Sequence, residues 1–172
     1  MIDAAHLMGT IDAQQVFGIR SDTKLICFFK QDGKISAYIA IDTNEHDGYN
    51  DLERMHNVSA AKGSITALVV FLHKKYQVKY RIADTEPLTT EGRDWICKIL
   101  DQGRGFTITD QNGKTTTSTD VRRSWTSALN TENPTPLSIL IPHINASQQV
   151  FETWPGILQP MWRYIGGDGS ID

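Results

Sequence analysis

Apolar residues recur along this chain with two different periods, and the switching between them predicts a mixture of strands and helices. Lys24 to Lys30 (KLICFFK) is rich in β-branched and aromatic residues and predicts a buried strand. Gln31-Asp32-Gly33-Lys34 supplies an Asp-Gly turn, and Ile35 to Thr43 (ISAYIAIDT) alternates as the second arm of a hairpin. Asn44 to Asn50 reads as a polar loop containing Gly48, and Leu52 to Val58 as a third strand. Ile65, Leu68, Val69, Leu72 and Tyr76 then repeat at helical spacing, and His73, Lys74 and Lys75 suit the negative end of a helix dipole. Val78 to Ala83 alternates as a strand. A helix follows from the capping signal Thr89-Thr90-Glu91, with Trp95, Ile96, Ile99 and Leu100 on its apolar face, and ends at Gly103. Phe106 to Thr109 and Thr115 to Thr117 flank Gln111-Asn112-Gly113, a second hairpin signal.

Toward the ends the pattern weakens. Ile2 to Phe17 places Ile2, Ala5, Leu7, Met8, Ile11 and Val16 at mixed spacing and predicts a short amphipathic helix broken by Gly18. Asp120 to Leu129 reads as a helix capped by Thr119 or Asp120, and Leu137 to Ile141 as a strand. Trp154, Pro155, Trp162 and Tyr164 make an aromatic-rich end. With no internal repeat and no linker-like stretch, the expectation is one α+β domain over residues 1–172, with a core at 24–110 and a C-terminal extension at 119–172.

Composition narrows the function classes. The chain has 172 residues, 40% of them hydrophobic and 22% charged, enough to bury a core without staples. A net charge of −3 and a pI near 5.9 argue against a nucleic-acid footprint. Arg122, Arg123 and Trp125, with Lys114 nearby, therefore read as a helix surface with its core anchor. Cys27 and Cys97 each lie in an apolar run, which predicts reduced core thiols and a cytoplasmic setting. Met1 to Thr10 has no basic start followed by an apolar run, so no signal peptide is expected. No segment approaches the roughly eighteen apolar residues that a membrane span needs. The histidines (His6, His46, His56, His73, His143) lack metal-ligand spacing, and no G-x-S-x-G is present.

One segment carries candidate chemistry. Between the third strand and the long helix, Val58 to Thr66 combines a glycine with a helix start, where amides without intrahelical partners and the helix dipole attract anions. There Gly63 permits close backbone approach, Lys62 adds a cation and Ser64 adds a hydroxyl.

The series of hairpin, strand, glycine turn, helix, strand, helix and closing hairpin resembles the GNAT N-acetyltransferase fold, over roughly half the chain. That resemblance implies a mixed, mostly antiparallel central sheet flanked by helices. The family's turn motif, (Arg/Gln)-x-x-Gly-x-(Gly/Ala), falls on Ala60-Ala61-Lys62-Gly63-Ser64-Ile65. Gly63 matches, while Ala60 and Ile65 depart from the first and last positions. A second run, Asp84 to Leu100, is similar to small bacteriophage-encoded acetyltransferase-like proteins through Asp84, Gly92 and Trp95.

The resemblance implies acetyl-CoA as the coenzyme, held by Val58, Lys62, Gly63, Ser64, Ile65 and Asp84. The acceptor would be an amine of a protein or small molecule. It further implies a base on the strand before the turn, for which Glu53 leads, with His56 and Asp51 nearby; desolvation there would raise a carboxyl pKa. The family's acid is a tyrosine on the helix after the next strand. That helix has Trp95 and no tyrosine, which leaves Tyr80 on the strand as a substitute. An alternative of another class is a catalytically inactive protein of this fold that docks on a host protein through its aromatic tail.

Overall fold

The computed structural model describes residues 5–11, 13–21, 23–82, 90–102, 105–119 and 139–145. Among them the chain forms β1 (His6–Ile11), β2 (Gln14–Arg20), β3 (Lys24–Gln31), β4 (Lys34–His46), β5 (Tyr49–Asn57), α1 (Ser64–Tyr76), β6 (Tyr80–Ile82), α2 (Thr90–Gln102), β7 (Phe106–Thr109) and β8 (Ile139–Ile144). The fold is mixed α+β, with two helices among the described residues and a large, mostly antiparallel sheet of order β1-β2-β3-β4-β5-β6-β8-β7. β5 and β6 run parallel, joined through α1.

The chain divides into two compact units. One holds the described residues up to Asn44 and from Leu52 to Gln77; the other holds Glu45–Asp51 and the described residues from Val78 onward.

In the first unit, β3 and β4 form the hairpin expected from Asp32-Gly33, both residues taking positive φ (51° and 76°) as a two-residue turn between right-twisted strands requires. Phe17, Phe28, Ile19, Ile35 and Ala5 make a buried apolar cluster, with Phe17 and Phe28 stacked at 5.9 Å. All of α1 from Ser64 to Leu72 is buried, which accounts for the nearly unbroken apolar run ITALVVFL. The helix ends at Gln77, which takes φ 58° and donates its N–H to the His73 carbonyl.

Among the described residues the N-terminal helix expected over Ile2 to Phe17 is not formed; His6–Ile11 and Gln14–Arg20 are the antiparallel pair β1–β2. Their turn uses Ala13 at φ 63°, a position that carries no glycine signal, and a bulge between Leu7 and Gly9 scrambles the strand alternation. Gly18 does not break an element either. It lies within β2, where a Cβ would sit 2.5 Å from Met8 Sδ, so the Met8 side chain occupies the space beside it.

The polar loop expected over Asn44 to Asn50 is also replaced. β4 continues to His46, Asp47-Gly48 forms a two-residue turn (φ 53° and 86°), and β5 starts at Tyr49.

In the second unit, β6 pairs with β8 through Tyr80↔Ile141 and Ile82↔Ile139. α2 buries Ile96, Cys97 and Ile99, and Trp95 meets Phe106 edge to face at 6.4 Å. The turn at Asn112-Gly113 forms as expected, with Asp110 Oδ1 accepting from the N–H groups of Asn112 and Lys114. Its arms meet at the isolated Thr109↔Thr115 bridge, and the ladder partner of β7 is β8. The helix expected over Asp120–Leu129 and the aromatic residues from Trp154 to Tyr164 lie outside the described residues.

Candidate functional site

The turn between β5 and α1, in the first unit, is built on one carbonyl. The N–H groups of Val58, Ser59 and Ala60 all point to Ser36 O on β4, at 2.9, 3.0 and 3.2 Å. Asn57 Oδ1 accepts a further bond from the Ala60 N–H at 2.8 Å, a side-chain turn that bends the chain out of the strand. The next amides are differently placed. Ser64 N–H and Ser64 Oγ both donate to Ala61 O, at 3.2 and 2.5 Å, and Ala67 N–H closes the first helical bond on Gly63 O. Among the described residues, the N–H groups of Ala61, Lys62, Gly63 and Ile65 meet no acceptor.

Gly63 caps α1 at φ 93°, ψ −1°, without a side-chain hydrogen bond, and the first turn of α1 has no acidic residue. A Cβ built on Gly63 would meet nothing within 4 Å. The helix therefore begins beside open space, with unneutralised donors and the positive end of its dipole. Lys62 is exposed next to it. Such a turn can receive an anion.

The remaining candidates are distributed as follows. Val58 N–H is engaged with Ser36, and Ser64 is fully buried with its hydroxyl committed to Ala61, so neither the Val58 amide nor the Ser64 hydroxyl serves as a donor on the turn's open side. Ile65 is 8% exposed and contributes a main-chain N–H. Glu53 is exposed on β5 and bonded to Lys24 Nζ, which lies 3.7 Å from Asp42 Oδ2 as well. The hydrogen bond to Glu53 raises the Lys24 pKa, outweighing partial desolvation. His56 is half-buried and meets Tyr38 edge to face at 6.0 Å. In the second unit, Tyr80 is fully buried on β6. Asp51 is held by Arg81 at 2.5 and 2.9 Å, with His46 Nε2 at 3.7 Å. Asp84 lies outside the described residues.

Sequence reading missed Ser36, Asn57, Lys24 and Tyr38. Ser36 acts through its main chain and leaves no side-chain signal. Asn57 was visible as an Asn two residues before Ser59-Ala60-Ala61. Lys24 becomes a partner of Glu53 only through the pairing of strands.

No group of three or more His, Cys, Asp or Glu among the described residues is arranged to hold a metal ion, and none of the described helices is long and apolar enough to cross a membrane. Both cysteines are buried and free, and burial pushes the Cys27 thiol pKa well up. Comparison with protein-family models, with curated proteins and with solved structures returned no match.

Proposed function

We propose that this chain is a GNAT-type, acetyl-CoA-dependent N-acetyltransferase-like protein, of the kind encoded by bacteriophages, that acts on an amine of a protein or small molecule. The observation that carries the reading is the uncapped start of α1 at Gly63, with open space beside it and a row of main-chain donors at Ala61, Lys62, Gly63 and Ile65. The element order β3-β4-β5-α1-β6-α2-β7 supports it, being the order that the resemblance implies.

The coenzyme's diphosphate fits this donor set, and its thioester supplies an acyl group activated for transfer. Lys62, Gly63 and Ile65 would hold the diphosphate through N–H groups, with the Lys62 ammonium adding charge. On β5 the ion pair with Lys24 disfavours Glu53 as the group that takes a proton from an amine, which puts His56, edge to face with Tyr38, ahead of it as the candidate base.

A second reading, an inactive member of this fold that docks on a host protein, is favoured by specific features of the acid side of the reaction. Tyr80 is fully buried, and the α2 sequence TEGRDWICKILDQ contains no tyrosine.

Thermal unfolding tests the common premise, because a ligand selective for the folded state raises its stability. Acetyl-CoA should raise the Tm, while acetyl-pantetheine, which lacks the diphosphate, should leave it unchanged. No shift at millimolar acetyl-CoA overturns a coenzyme-binding role in either reading. Thiol release on adding candidate amines then separates the enzyme from the binder.

A further inference from the structure

We draw no further inference here: the strongest candidate, the fully buried Lys30 amine seated 3.8 Å from the centre of the Phe17 ring at the end of β3, rests for any chemistry on its lowered pKa, and nothing among the described residues shows what ligand would reach it.

Discussion

Arg81 donates from Nε and Nη2 to the two carboxylate oxygens of Asp51, at 2.5 and 2.9 Å, and the two residues are register partners in the parallel β5–β6 pair. The side chains are 30% and 13% exposed, so this forked pair is shielded more than a surface ion pair. Asp51→Asn should cost about 1–3 kcal/mol, because it leaves the Arg81 charge half-buried without its counter-ion. Arg81→Lys should recover only part of the parent stability, since a single ammonium cannot span both oxygens. Urea unfolding checks this: the midpoint should fall with an unchanged slope.

A side chain at Gly18 is predicted to displace Met8. Gly18→Ala places a methyl 2.5 Å from Met8 Sδ and 3.1 Å from Met8 Cγ, and should destabilise the protein by about 1–3 kcal/mol. Met8→Ala alone leaves a cavity and is also destabilising. The double variant should be less damaged than the sum of the two, a coupling read from a double-mutant cycle.

Lys30 should give the protein an alkaline stability gain. Burial lowers its pKa from 10.5 to about 8, so holding the charged form inside the fold costs free energy at pH values below about 8. That cost is relieved as pH rises from about 8 to 10.5, where the unfolded chain also loses the proton. Lys24 has the opposite sign: its pKa is raised, so its contribution persists through this window and is lost only above 10.5, as pH passes through its folded-state value. Relative to Lys30→Met, the parent should therefore gain on the order of 2–3 kcal/mol across that window, seen as a slope in stability against pH that the variant lacks.

At the turn, Gly63→Val should abolish the acetyl-CoA-induced rise in Tm. It also carries a backbone cost of about 1–3 kcal/mol, because φ 93° disfavours a β-branched residue. Lys62→Gln has no such cost and serves as the companion variant. It should weaken the coenzyme shift at low ionic strength and resemble the parent in high salt, where the exposed charge is screened.

If acetyl transfer occurs, His56→Ala should lower kcat by about 10²–10⁴-fold, the range for loss of a general base. Glu53→Gln should change it much less. The Glu53 carboxylate faces Lys24, and losing an exposed ion pair costs about 0–1 kcal/mol of stability. Single-turnover assays of both variants decide between the two residues.

The strand-and-helix skeleton from Lys24 to Thr109 was legible wherever local chemistry and tertiary demand coincide. Asp32-Gly33 suits a two-residue turn by its backbone preferences alone, and the run from Ile65 to Leu72 is apolar enough to be a buried helix in any context. The N-terminal hairpin was not legible. Its turn residue Ala13 has no intrinsic taste for φ 63°, and the bulge near Met8 shifts the alternation midway. The extension of β4 and β5 through a polar stretch was hidden because the exposed residues Glu45 and His46 carry no burial signal. For the candidate site, Gly63 and its helix were visible in sequence, whereas the pairing of Glu53 with Lys24 depends on contacts between distant strands.

The three-fold convergence on Ser36 O has an evolutionary corollary. The acceptor is a peptide oxygen, and its donors at 58, 59 and 60 are peptide N–H groups, so side-chain drift at these positions can leave the anchorage of the loop untouched. Proline is the exception, since it deletes a donor outright. Other side-chain substitutions at Ala60 would thus leave in place the scaffold that shapes the loop.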